Sequence, residues 1–406
     1  MLLGLAWRNI WRQPHRTLLS LMSIALAAAI TVFLLSLQRG AYGTMKENVL
    51  KLMDGFAQIQ PPGYADDPDL HKSIADPERL IAKLQAVPGL TAAAPRTESY
   101  VILSNGSRSY GAAVFGIDPA REQAVTTLGS TVSQGRYLAP GDEAVAVLGA
   151  GLARNLKLSV GDKITMLGAA EDGSVAADVL TVAGIFATGS TELDRQAIEI
   201  PLTQFQSDFA MGSRVNAIAL MGRHLDDISG AMPQLRGIAA VSGLVVRDWA
   251  ELQPALNDII LLDASFSLLI YVTLVVVAVF IILNTLLMSV LERTREFGML
   301  MAIGMRPTQI GRMVWMELLL LAVTGAVLGI AIGCAGTAWP AAHGIPFPSA
   351  EALFSQWHMP STLYPRLDAT SALSGPLAIT IAIVLAGMVP YLRVRRLKPV
   401  SAMRAA

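Results

Sequence analysis

The sequence predicts an integral membrane α-helical protein: four transmembrane helices, with a large extracytoplasmic α+β domain inserted between the first and second spans. Three observations carry that prediction. The 406-residue chain is 53% hydrophobic and only 15% charged, too apolar for a soluble protein of mixed composition. Four uncharged apolar runs each reach the roughly 20 residues that cross a bilayer. Between the first two lies a long polar stretch with short strand-like segments.

The spans come first. No charge occurs between Arg16 and Arg39, or between Asp263 and Glu292; the third run follows Glu317 and the fourth follows Asp368. We place the spans at 17–38, 263–291, 313–338 and 369–392. A cleaved signal peptide is the rival reading for the first, given its basic front and alanine-rich core. The apolar stretch is too long for that, and its small residues (Ala25 to Ala29) lie mid-span, so a retained helix is expected. Before it, residues 1–16 read as an interfacial amphipathic helix, with Trp7 and Trp11 one turn apart beside Arg8 and Arg12, in contact with membrane lipid and broken at Pro14.

Orientation follows from the basic residues near the span ends. Arg8, Arg12 and Arg16 precede the first span, Arg293, Arg295, Arg306 and Arg312 lie in or beside the connection 292–312, and Arg393, Arg395, Arg396, Lys398 and Arg404 fall in the tail 393–406. The connection 339–368 holds only Arg366. Both termini and 292–312 are therefore expected in the cytoplasm, and the insertion 39–262 and the loop 339–368 outside. A multi-pass membrane protein is expected.

The insertion contains strand candidates "SYVILS" (99–104), "YGAAVFGI" (110–117), "KITML" (163–167), "DVLTVAGIF" (178–186) and "VNAIALM" (215–221). A helix is expected in "DPERLIAKLQAV", capped by Asp76 with Pro77 in its first turn. A weaker one in "HLDDISGAMPQLRGI" is interrupted by Gly230 and Pro233. No βαβ regularity is visible, which suggests an α+β domain. From about Trp249 the period turns helical, as for a stalk running into the second span.

Several chemistries are excluded. With a formal net charge of +0 and no basic block, nucleic acid is not an expected partner. The single cysteine, Cys334, can form no disulfide within the chain. No Gly-Lys dipeptide, no Gly-x-Ser-x-Gly elbow and no clustering of the 5 histidines occurs, so we expect no enzyme, no metal and no cofactor bound by this chain. The pairs Asp66-Asp67 and Asp226-Asp227 read as solvated surface. Within the spans, Asn284 is a candidate interhelical hydrogen bonder. Gly325, Gly329 and Gly333 mark one face of the third span for close helix packing.

The remaining signal is "ERTREFGMLMAIG" (292–304). Phe297, Leu300 and Met301 fall at helical spacing, Gly304 allows the helix to end, and Pro307 can open the next. So short an amphipathic helix is not stable alone. It is expected to rest on lipid or to sit in a groove of a partner.

These residues, with those that follow to Gly333, resemble the signature of the MacB/FtsX superfamily of permeases, the type VII ABC transporters. The resemblance implies that Arg295, Glu296, Phe297, Gly298, Leu300, Met301, Ala302, Ile303 and Gly304 form a coupling helix entering a cleft on an ATPase subunit, with Phe297 the aromatic anchor. The tail "RRLKPVSAMRA" resembles the family's basic ending and would contact the cytoplasmic machinery through Pro399, Ala402 and Arg404. "AWRNIWRQPHRTLLS" is similar to its N-terminal elbow, and "GRYLAPGDEAVAVLGAGLARNLKLSVGDKITML" looks like a segment of LolC/LolE-type members. The implied assembly is a dimer with a second copy or a paralogue and a separate cytoplasmic ABC ATPase that holds ATP and Mg. Its expected mode of action is mechanotransmission, with lipoprotein or lipid-linked cargo and a periplasmic carrier outside. The alternatives are an FtsX-like scaffold activating a cell-wall hydrolase and MacB-like efflux through a periplasmic adaptor.

Overall fold

A computed structural model of the chain describes residues 14–348 and 362–396, together with Gly4, Arg8 and Arg12. The amphipathic elbow therefore falls largely outside the described residues, as do Pro399, Ala402 and Arg404. The chain divides into two compact units, a helical one (through Tyr42, Ile260–Pro348, and from Thr362) and an inserted one, Gly43–Ile259.

The helical unit is built on four helices long and apolar enough to cross a membrane. Helix α1 is Pro14–Leu52 and opens at the proline expected to break the preceding elbow. At 39 residues it is roughly 60 Å long, about twice a bilayer's hydrocarbon thickness. The predicted span thus ends well before the helix does. Nothing in the polar segment after Arg39 breaks helical geometry, and Gly40 and Gly43 are tolerated inside it. Helix α9, Pro254–Glu292, is likewise 39 residues and starts upstream of the predicted boundary. Helix α11 is Pro307–His343; α12 (Ala369–Ala386) and α13 (Met388–Arg395) divide the fourth run at Gly387. A two-stranded ribbon of β11 (Ile345–Pro346) and β12 (Thr362–Leu363) borders the loop between α11 and α12.

Close approach of backbones organises this unit. A Cβ on Gly325 would lie 2.7 Å from Ile24, one on Gly329 would lie 2.5 Å from the Ala28 Cβ and 2.6 Å from the Ala25 carbonyl, and one on Gly333 would lie 2.9 Å from Val32. The glycine stripe therefore meets α1, whose facing residues are themselves small, the arrangement that lets two helices touch along their backbones. Gly375 of α12 packs on Thr31 of the same helix. Asn284, in contrast, is exposed on α9 and makes no hydrogen bond among the described residues.

The inserted unit is a mixed α+β domain around a 10-stranded sheet. In chain order its strands are β1 (Ala57–Gln60), β2 (Leu90–Asn105), β3 (Arg108–Ile117), β4 (Val132–Gly135), β5 (Val145–Gly149), β6 (Lys163–Ala169), β7 (Val175–Phe186), β8 (Ala197–Pro201), β9 (Ala217–Gly222) and β10 (Val245–Asp248). The path is β10-β1-β9-β2-β3-β8-β5-β7-β4, with β6 bridging β2 and β7. The β3–β8 and β5–β7 pairs are parallel and the others antiparallel. The first and last strands are neighbours, Ala57 opposite Asp248, so the domain begins and ends at one place, as an insertion must.

Helix α2, Pro77–Leu84, is capped as expected: the Asp76 carboxylate accepts from Arg79 N at 3.1 Å. Short helices follow at α3 (Pro119–Glu122), α4 (Ala150–Leu156), α5 (Thr191–Gln196) and α6 (Leu202–Asp208). Helix α7, Leu225–Val241, corrects one expectation, since it runs uninterrupted through Gly230 and Pro233. Pro233 and Ser229, whose carbonyl the ring leaves unbonded, both face solvent, while Leu225, Ile228, Ala231, Leu235 and Ala239 bury the opposite stripe. The short α8, Trp249–Leu252, then leads to α9. One apolar cluster lies under β5–β7 around Leu148, Phe205 and Phe209; another packs α2 and α7 against β1 and β9.

Candidate functional site

The connection between α9 and α11 contains the short helix α10, Thr294–Ala302. Its end is set by local chemistry. Gly304 adopts φ +104°, Met305 N donates to the Leu300 carbonyl at 3.0 Å, and Gly304 N donates to Met301 O at 3.1 Å. This is the glycine-terminated cap in which the residue past the glycine folds back over the last turn, and Leu300 and Met305 duly pack on the same apolar cluster. Pro307 then occupies the first turn of α11, and Gln309 Oε1 accepts from Arg306 N at 3.0 Å.

The inward face of α10 is committed to the chain itself. Phe297 is 1% exposed, and with Met301 it packs against Val290, Ile310, Met313, Val314 and Val394. This stripe is therefore covered within the chain itself. The core formed by α9, α11 and α13 satisfies it. Gly298 is buried on the same side.

Polar groups fix the helix from its other flank. Arg293 reaches Glu317 at 3.3 Å and Glu296 at 3.4 Å, and its guanidinium lies 5.3 Å from the Phe297 ring centre. Arg293 and Glu317 are both mostly buried, which makes their pair costly to break from one side. Arg12 approaches Glu296 at 3.6 Å, and Arg16 makes a two-pronged pair with Glu292. These groups border a cavity of about 210 Å³ between α1, α9 and α11. Because every arginine there meets a glutamate, the cavity is nearly neutral and is no anion site.

What remains outward is a second stripe. Arg295 is exposed and makes no ion pair among the described residues. Met299 is 51% exposed and Ile303 85%, with Ala302 and Gly304 beside them. Of the residues expected to dock, the structure brings Arg295, Ala302, Ile303 and Gly304 to one surface and withdraws Phe297, Gly298 and Met301. Glu296 and Leu300 stand between. Sequence reasoning missed Met299. The signal was present, since 295, 299 and 303 follow at four-residue steps.

Two family models match separate parts of the chain. Residues 268–399 match the FtsX-like permease C-terminal model, and residues 17–238, more than half the chain, match the MacB-like periplasmic core domain. The chain belongs to the MacB/FtsX family of ABC transporter permeases. Among curated relatives, this permease is 24% identical to the lipoprotein-releasing system transmembrane protein LolC of Neisseria meningitidis serogroup B, over 78% of this chain and 76% of that one. It is 24% identical to LolE of Haemophilus influenzae, over 94% and 92%. It is 26% identical to the pyoverdine export ATP-binding/permease protein PvdT of Pseudomonas syringae pv. tomato, over 81% of this chain but 51% of that protein. Among solved structures, the periplasmic region of MacB from Actinobacillus actinomycetemcomitans matches at 15% identity and a TM-score of 0.38, over 52% of the permease and 97% of that chain.

Proposed function

We propose that the permease is the non-catalytic membrane subunit of a lipoprotein-releasing type of ABC transporter. A separate cytoplasmic ATPase, which binds ATP and Mg, docks on the outward stripe of α10, and its stroke is passed to the inserted domain on the far side of the membrane. The observation that carries this reading is the division of α10. One face is locked by Phe297 and Met301, while the other presents Met299 and Ile303, bare apolar side chains on a helix too short to be there for its own stability. The basic residues around α10 support placing it, with both termini, on the cytoplasmic side of a bacterial inner membrane. The uncharged cores of the four spans argue against a hydrophilic path through the bilayer and in favour of transmitted motion. The names LolC and LolE among the relatives support lipoprotein cargo and a paired permease.

The test is Ile303→Glu and Met299→Glu in the permease purified with its ATPase from a native membrane. We expect the ATPase to be lost from the complex, or hydrolysis to fall about tenfold, while the permease keeps its melting temperature. Undiminished assembly and activity in both variants would sink the docking proposal. Crosslinking from the inserted domain sorts the output: a lipidated protein or its carrier fits the proposal, whereas a cell-wall hydrolase or an efflux adaptor would replace it.

A further inference from the structure

The inserted domain holds a cavity of about 440 Å³ where the chain enters and leaves it. Met53 and Asp54, just past α1, form one wall, and Leu252, at the end of α8, and Pro254, at the start of α9, form another. The volume falls in the range that encloses small organic molecules.

Its charges are not balanced within the fold. Arg96 is held by Glu122, through Nε at 3.2 Å and through a terminal nitrogen, and donates to the Met53 carbonyl. Arg247 leans toward Asp66 and Glu251 at 3.6 and 3.5 Å. Glu98 makes no hydrogen bond or ion pair with either guanidinium or with any other group among the described residues, and of the two guanidinium groups only that of Arg96 acts on it, by its charge. Burial pushes the Glu98 carboxyl up to about 7, with the nearby Asp54 charge adding to the effect. Burial raises Asp54 as well, although Gln253 donates to it at 2.6 Å. Two carboxyl groups thus face a partly dry space, and the cation that acts on both, Arg96, is already paired with Glu122.

An independent observation points the same way. Gln60, 4% exposed, lines the cavity; its Nε2 donates to Gln58 Oε1 at 2.6 Å, but its own Oε1 is buried and receives no hydrogen bond. A buried acceptor of this kind is rare and calls for a donor from outside the fold. Arg247 Nε is a buried donor without an acceptor. Phe115, Pro68 and Leu252 supply apolar wall between these polar points.

We propose that this cavity binds a small alkylammonium bearing an oxygen at its other end. The ammonium is received by Glu98, Asp54 and Gln60 Oε1, the carbon chain lies along Phe115 and Leu252, and the oxygen accepts from Arg247 Nε. A bare metal ion fits poorly: the space is far larger than an ion needs, and no group of three or more His, Cys, Asp or Glu among the described residues is placed to hold one. An occupant would touch both ends of the domain's attachment, since Asp54 and Gln253 are bonded across it. The site stands apart from α10 and does not depend on the docking proposal.

Titration calorimetry of the full-length permease in detergent, with 4-aminobutan-1-ol as probe and calcium chloride as control, tests it. Saturable binding of the amine is expected, weakened at least tenfold in both Glu98→Gln and Gln60→Met, with melting temperatures showing both variants folded. No saturable binding to the unaltered protein would overturn the proposal. So would equal binding by Glu98→Gln, or saturable calcium binding that the amine fails to displace.

Discussion

The two units of the permease bury themselves by opposite means. The inserted domain fills its interior with large side chains: Phe205 and Phe209 stack with ring centres 4.2 Å apart, inside a cluster of fully buried Leu and Ile. The helical unit removes side chains instead, so that Gly325, Gly329 and Gly333 bring α11 against Ala25, Ala28 and Val32 of α1. Water drives the first arrangement by expelling apolar surface. In lipid that drive is missing, and contact distance itself must supply the attraction. Deletion should therefore injure one unit and addition the other.

Substitutions can break that comparison. The largest effect is expected from Phe209→Ala, a cavity costing about 3–5 kcal/mol in the domain and read as a lost or lowered melting transition. Phe297→Ala should cost a similar amount within the helical unit, because its ring sits in a water-facing core at the end of the spans. Uncoupling without any loss of stability in that variant would show that the ring leaves its core in the working complex. Gly329→Val should cost about 1–3 kcal/mol through overpacking, with no side chain able to swing clear of the Ala25 carbonyl. Gly304→Ala should cost about 1 kcal/mol, since it forces an alanine to φ +104° where only the backbone objects.

The last effect expected is a gain. Glu98 has its folded pKa near 7 against an ordinary 4.5, so the native state keeps a proton that the unfolded chain has released. Stability should fall as pH climbs between those values and level off above. Asp54 and Arg96, which face the carboxyl, act in opposite directions on it, and Tyr64 and Tyr100 sense its charge. Glu98→Gln should accordingly melt higher than the unaltered protein at pH 8, by about 1–2 kcal/mol, and no higher at pH 4.5. A gain that persists at pH 4.5 would assign the effect to packing.

The four spans, the insertion and the strand segments were legible because each is written in local composition or period. The glycine stripe was legible too, but not its partner. The run of alanines from Ala25 that resembles part of a signal peptide proves to be the other half of the seam, a pairing 300 residues apart in sequence that no window can register. Helix α10 shows the same limit at closer range. The helix and its C-terminal neighbour Ile303 carry two apolar stripes, Phe297 with Met301 and Met299 with Ile303, and the distant cluster around Val290, Met313 and Val394 decides which turns inward. Aromatic character suggested an anchor for a partner; in this chain the Phe297 ring fills a core of its own. Pro233 misled in the other direction, since a proline on the wet side of a long helix removes a bond that water replaces.

The adjacency of β1 and β10 has a mechanical side. Both helices that carry the domain attach at the same end of that antiparallel pair, beyond Ala57 and Asp248. Splaying the two helices would open the ladder one rung at a time from that end, the weak way to load a pair of strands. Drawing them together along their length strains no rung. The β1–β10 pair thus resists peeling from that end only feebly.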